Sequence, residues 1–141
     1  MNGLPTSLHL EVATPLGQAL SLEVDYIEAP SVWGQFGVFP GHLPLLASLK
    51  IGIISYRQGG HVHRAAIGAG FAEAGPDRVR IITDRFSAQE EIDAKNVRTE
   101  HEKASLELKD LLAHSDSDPN KIEALEHDIA WCQARLDIGS N

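Results

Sequence analysis

The sequence is poor in cysteine, in basic residues and in long apolar runs, and each shortage removes a class of protein. A single cysteine, Cys132, rules out an internal disulfide framework and fits a reducing compartment. Twelve Lys and Arg stand against twenty Asp and Glu, a formal net charge of −8. Phosphate backbones are bound by clustered bases, so nucleic acid is not an expected partner. No apolar run approaches the roughly 20 residues that span a bilayer. The start, Met1-Asn2-Gly3-Leu4-Pro5, has no basic segment followed by an apolar one, so no secretory signal is expected. The expectation is a soluble chain that meets a membrane only through other proteins.

What is present supports a packed core. Hydrophobic residues make up 43% of 141 residues, too many for global disorder and enough for a small domain with an appendage. The charge is unevenly spread. Residues 1–86 carry seven acids against six bases, whereas residues 87–141 carry thirteen against six. The shift suggests two parts with different surfaces, 1–86 and 87–141.

The first part alternates. Leu8, Leu10 and Val12 share one face against His9 and Glu11, and Leu20, Leu22, Val24 and Tyr26 repeat the pattern. A period of two marks strands with one buried side. Thr14-Pro15-Leu16-Gly17 reads as the turn between them. Runs 51–57 and 62–67 flank Gly59-Gly60, which supply the positive φ of a tight hairpin. Runs 70–74 and 78–83 flank Gly75-Pro76-Asp77. Short strands at this spacing predict an antiparallel sandwich or flattened barrel.

The second part is helical. Ser87-Ala88-Gln89-Glu90 has the form of a capping box. Ala94, Val97, His101, Ala104, Leu108 and Leu111 then recur every three or four residues, predicting a helix from Ser87 to Ala113, roughly 40 Å long. Ser115-Asp116-Ser117-Asp118-Pro119 breaks it, with Asp118 placed to cap a second helix and Pro119 to begin it. Ile122, Leu125, Ile129, Cys132 and Leu136 stripe that helix to Gly139. The pair predicts an antiparallel hairpin. Few large apolar side chains serve many ordered residues. The hairpin is therefore expected to need a partner surface, and such a balance permits two arrangements.

A search for chemistry finds no complete set. His101-Glu102 lacks the second histidine of a zinc-protease helix, leaving a seam histidine. His61 and His63 share a strand face, but no carboxylate follows until Glu73 and Ser55 stands where a cupin-like enzyme has glycine. Gly68-Ala69-Gly70 lacks the third glycine and the helix of a dinucleotide loop, so close backbone packing is expected. Cys132 has no base beside it in the sequence and reads as a small hydrophobe. The acids Glu100, Glu102, Glu123, Glu126 and Asp128 read as solvated helix faces. Neither a metal nor a cofactor is expected. The rival readings are a small cupin-like enzyme and a free nucleotide-sensing module.

Residues 33–54 are the distinctive segment. Gly34-Gln35-Phe36-Gly37-Val38-Phe39-Pro40-Gly41-His42-Leu43-Pro44-Leu45-Leu46 resembles the signature of the epsilon subunit of F-type ATP synthases (the delta subunit in mitochondrial naming). Lys50, Gly52 and Gly68-Ala69-Gly70-Phe71 follow in the family's order, and so does the change from strands to helices near residue 86. The resemblance implies a non-catalytic rotor subunit with a ten-stranded β-sandwich and a two-helix hairpin. Its implied partners are the gamma subunit and the c-ring, with Gln35 and His42 carried over by position as contacts. Many relatives have an acid at Gln35.

The hairpin of such relatives folds onto the sandwich or extends along gamma, where it inhibits ATP hydrolysis against the alpha and beta subunits. Here its basic candidates are Lys95, Arg98, Lys103, Lys109, Lys121 and Arg135, set in a hairpin of charge −7. Some relatives bind ATP through a motif of Ile or Leu, Asp, two free positions, Arg and Ala. Ile92 and Asp93 match it, but Asn96 and Val97 replace the last pair, removing a phosphate partner. The implied location is the cytoplasmic face of a bacterial plasma membrane, as a peripheral part of the complex.

Overall fold

A computed structural model describes residues 5–139. Ten strands come first: β1 (Leu8–Thr14), β2 (Gly17–Val24), β3 (Tyr26–Ser31), β4 (Gly34–Val38), β5 (Leu45–Leu49), β6 (Gly52–Gln58), β7 (His61–Ile67), β8 (Gly70–Ala74), β9 (Arg78–Thr83) and β10 (Phe86–Ala88). One 3-10 turn, Gln89–Glu91, leads to helices α1 (Ala94–Leu112) and α2 (Pro119–Gly139). The strands form one continuous hydrogen-bonded path, β10-β7-β6-β3-β5-β8-β9-β1-β2, with β4 added on β3. The fold is a β-sandwich, nearly a barrel, followed by two helices. All pairings are antiparallel except β1 with β9, which run parallel.

The alternation read from the sequence is the alternation that folds. Leu8, Leu10 and Val12 point inward from β1, Val79 and Ile81 from β9, and Ala72 and Ala74 from β8. Burying each large side chain is worth about 1.5–3 kcal/mol, so this row carries much of the sandwich's stability. Alanines on β7 and β8 let the layers approach closely. Gly59 and Gly60 take φ of +56° and +86°, the two positive values that a type I′ hairpin requires.

Two strand boundaries depart from the sequence reading. The run from Leu20 to Tyr26 is not one strand: it breaks at Asp25, which turns the chain from β2 into β3. The Asp25 amide donates to the Arg57 carbonyl, and its carboxylate accepts from the Gly59 amide. The segment 34–49 also contains more strand than its prolines suggest. β4 and β5 lie on either side of Pro40 and Pro44, both of which sit in the connecting loop.

The start of the first helix is a correction. Ser87 does not cap it. Its backbone pairs with Ala66 of β7, and the residues after it form only a 3-10 turn with no side-chain cap. The helix begins at Ala94, and Asp93 caps it by accepting from the amides of Lys95 and Asn96 at 3.1 and 3.4 Å. A ladder partner was available to Ser87, and tertiary pairing outweighs a four-residue signature. At the second helix the expectation holds. The Asp118 carboxylate accepts from the Asn120 amide at 2.9 Å, and Pro119 opens the helix.

The hairpin rests on the sandwich through α2, which packs on β6 and β7, while α1 packs on α2. Ala134 and Ile138 bury against Ala66, with Ile51, Ile53, Ile92 and Trp131 around them. This explains why Ala65, Ala66 and Ile67 are all buried: β7 has the core on one face and α2 on the other.

Candidate docking surface and helical hairpin

The sandwich has two ends, and the pairing register assigns residues to each. Ser31 pairs with Leu49, Leu49 with Gly70, and Gly70 with Thr83, so the β3–β4 tip and the β1–β2 turn share one end. The Gly41 amide donates to the Pro76 carbonyl at 2.7 Å, placing the Pro40-Gly41-His42 corner at the other end. β4 spans the distance between them, about 15 Å at the usual rise of a strand.

Gln35 and His42 are therefore not brought together. Gln35 is exposed on β4 opposite Pro30, beside the tip. His42 is half-buried in the corner, with its Nδ1 against the Leu43 carbonyl. Tyr26 holds the corner by stacking on Phe39, ring centroids 4.3 Å apart, and its hydroxyl donates to Glu28 at 3.0 Å. Burial, then the Glu28 carboxylate, push the Tyr26 phenol above its ordinary pKa.

Apolar side chains crowd both ends and the sheet between. Trp33, on the tip, is 95% exposed, with Val32 beside it. Leu43 in the corner is 79% exposed and Leu46 on β5 72%, and Phe39 is also largely exposed. Phe71 and Ile82 are register partners whose side chains point outward from β8 and β9. Together with Ala13 and Pro15 they line an open groove of about 480 Å³. A row of exposed aromatic and aliphatic side chains on a sheet is a candidate interaction surface. Sequence reading marked the segment 34–46 but missed Trp33, Phe71 and Ile82 as contributors. Trp33, at the tip of a glycine-flanked turn, was the available signal.

The chemistry that the sequence left incomplete is also dispersed in space. No group of three or more His, Cys, Asp or Glu among the described residues is placed to hold a metal. His63 stacks on Tyr56 at 5.3 Å while His61 is exposed. Gly70 is a position of close backbone approach, as expected, since a Cβ there would collide with the Ile82 carbonyl oxygen, whereas one on Gly68 would meet the Asp84 carboxylate.

On the hairpin the predicted α1 stripe is the covered one: Val97 is buried and Ala94, His101, Ala104, Leu108 and Leu111 are half-buried. Lys95, Arg98, Lys103 and Lys109 are all exposed on α1, and Lys121 is exposed near the start of α2. Ile92 is absorbed into the apolar cluster under α2, and Asp93 is engaged as the α1 cap. Glu100 and Asp128 are not simply solvated. Glu100 accepts from Arg135 of α2 at 2.6 Å, and Asp128 accepts from Arg85 of the sandwich at 3.0 Å. Their spacing on separate elements hid these pairs from the sequence. Cys132 is buried at the same place, and burial pushes its thiol pKa up, so it stays protonated at neutral pH. Sequence reading also missed a second stripe on α2, Trp131, Ala134 and Ile138, which faces the sandwich. A helix half with two apolar faces has neighbours on both.

Comparison with known proteins bears on this arrangement. Residues 7–89 match the family described as ATP synthase, Delta/Epsilon chain, beta-sandwich domain. The chain is 40% identical over 126 residues to ATP synthase epsilon chain 2 of Syntrophotalea carbinolica, covering 89% of this chain and 91% of that one. It is 38% identical over 102 residues to the ATP synthase epsilon chain of Nitratidesulfovibrio vulgaris, covering 72% and 76%. Among solved structures it superposes on a chain of the Euglena gracilis mitochondrial ATP synthase (OSCP, F1 and c-ring) with TM-score 0.80 and 22% identity, covering 99% of this chain and 85% of that one. A chain of the Tetrahymena thermophila central stalk and c-ring matches with TM-score 0.57 and 12% identity, covering 96% and 98%. At those identities the structural matches speak for the fold.

Proposed function

The chain belongs to the ATP synthase delta/epsilon family as an epsilon subunit, and from that premise we propose that it is a non-catalytic piece of the central stalk. In this reading the sandwich joins the gamma subunit to the c-ring, in a machine that translocates protons. One observation carries it: the largest exposed apolar side chains sit on a rigid β-sandwich, at its two ends and on the sheet between. Those ends suit two partners. The tip with Trp33 and Gln35 faces one, assigned to the c-ring, and the corner with His42 and Leu43 adjoins the surface for gamma. Aromatic anchors of this kind dominate interface energetics. No helix among the described residues is long and apolar enough to cross a membrane. By family membership, the assigned location is the cytoplasmic face of the bacterial plasma membrane, peripheral and held by the complex.

The hairpin is the regulatory part in this reading, acting on the alpha and beta subunits when extended. Lys95, Arg98, Lys103 and Lys109 are exposed and accessible to an acidic partner, but they sit among thirteen acids from residue 87 onward. Like charges weaken such a contact, so inhibition of hydrolysis is assigned as weak. ATP is not assigned as a hairpin ligand. Asn96 offers no guanidinium, and the groove between the helices presents Glu100, Glu107 and Asp128 alongside its bases.

The test is co-expression with the gamma subunit of the same source. A stable one-to-one complex that weakens at least about tenfold on Leu43→Ala, and is unchanged by Trp33→Ala at the opposite end, is the expected result, the loss typical of an interface anchor. Absence of any complex with gamma defeats the reading. Calorimetry with ATP is expected to give no heat of binding, and micromolar affinity would revive the nucleotide-sensing alternative.

A further inference from the structure

Five side chains form a continuous run across three separate parts of the molecule. Arg85 belongs to the sandwich, in the link between β9 and β10. Its Nη2 donates to Asp128 of α2 at 3.0 Å, and its guanidinium carbon lies 5.9 Å from the Trp131 ring centre. Trp131 is one turn beyond Asp128. Arg135 is one turn beyond Trp131, and its guanidinium carbon lies 5.3 Å from the same ring. The Nη2 of Arg135 then donates to Glu100 of α1 at 2.6 Å. Trp131 thus receives one cation from the sandwich and one from its own helix, both within reach of a cation–π contact.

The electrostatics make the run interdependent. Among the described residues, the Arg85–Asp128 pair is the one ion pair that crosses from sandwich to hairpin. The Arg135 side chain is 14% exposed, its Nε has no hydrogen-bond partner among the described residues, and its charge is balanced by Glu100. A charge so desolvated depends strongly on its carboxylate and on the ring beneath it. The groove around the run also holds Lys103 and Glu107, so both signs are present and no surplus positive field exists to hold an anion.

We propose that Arg85, Asp128, Trp131, Arg135 and Glu100 act as a single clamp that joins sandwich, α2 and α1, so that loosening either end loosens the other. Detachment of α2 from the sandwich removes Arg85 from Trp131. The ring then shifts, Arg135 loses its platform, and the α1–α2 seam opens at Cys132. Breaking the Glu100 end works in reverse, freeing Arg135 and Trp131 and weakening the grip of Arg85. Release at one end of the run is therefore coupled to opening at the other. Because both outer links are ion pairs, salt drives the release. The clamp is a property of the isolated chain and does not depend on the rotor assignment.

The chain supplies two reporters. In a Trp33→Phe background Trp131 is the one tryptophan, and acrylamide quenching reads its separation from the sandwich. Labelling of Cys132 by a disulfide reagent reads the α1–α2 seam, and Arg85 makes no bond to that thiol. R85Q is expected to speed Cys132 labelling by at least about threefold, and E100Q to raise Trp131 quenching by a similar factor, as coupled neighbours do. In the double variant the two effects should not multiply. Raising NaCl to about 1 M should reproduce the R85Q behaviour in the parent chain. D128N serves if R85Q does not fold, and E107Q, in the groove but outside the run, should leave both reporters unchanged. Cys132 labelling at the parental rate in R85Q or D128N, multiplying effects, or insensitivity to salt would each overturn the clamp.

Discussion

Gly70 shows how much one residue decides. Its missing Cβ leaves room for the Ile82 carbonyl of the neighbouring strand. Gly70→Ala is expected to cost about 1–3 kcal/mol, because backbone rather than a flexible side chain must move. Urea unfolding of the variant checks this, and an unchanged midpoint would refute the close approach. Tyr56 is expected to contribute to behaviour at high pH. It is buried in the core, and burial, then Glu90, raise its phenol above the ordinary value of 10.0, with Tyr26 raised in the same direction. A phenol whose folded pKa is raised contributes stability that is complete below its unfolded pKa and is lost as pH climbs through the folded one. Thermal stability should therefore fall as pH rises beyond about 10. In the double variant Tyr26→Phe, Tyr56→Phe this alkaline loss should shrink, and an unaltered profile would remove the two phenols as its cause.

Among the elements, the first helix separates local signals from context. Its apolar stripe was legible because a 3.6-residue period needs no knowledge of the partner, and all six of its positions are covered. Its start was not legible. Ser87 is a credible cap by its local signature, and only the β7 strand that pairs with its backbone excludes it. Asp93→Ala should destabilise by about 1 kcal/mol, whereas Ser87→Ala should stay within about 0.5 kcal/mol. Chemical denaturation of the two variants distinguishes the caps, and the reverse order would restore the earlier start. The sandwich-facing stripe of α2 escaped for a related reason: it is built from Ala134, Ile138 and Trp131 beside a stronger stripe, and two apolar faces together blur the period of either.

For the molecule as a whole, the division of charge coincides with the division between sandwich and hairpin. The sandwich has its own closed core, and the hairpin lies on its outer face through a smaller cluster. A chain ended after Glu91, which keeps β10, is expected to stay folded and to bind gamma as the full chain does. It exposes Ala66, Ile51 and Ile53, so a fall in melting temperature and lower solubility should accompany the cut. Hydrolysis by the assembled complex should rise or stay level, and loss of assembly on this truncation would refute the separation of docking from regulation. The candidate docking segment 34–46 could be marked from one chain only through its resemblance to the family signature. The ends to which its residues go could not, since Gln35 and His42 lie seven positions apart on a path whose direction the register alone fixes.

Periodicity and composition by themselves determined that an alternating half would form strands around a buried core and that a striped, acidic half would form two helices. They could do so because side-chain direction follows from local backbone geometry. Only the tertiary structure decided where β10 ends and α1 begins, which face of α2 meets the sandwich, and that Arg85, Trp131 and Glu100 share one network. Those outcomes depend on which surfaces arrive beside one another, and residues 85, 100 and 131 become neighbours only when the chain folds back on itself.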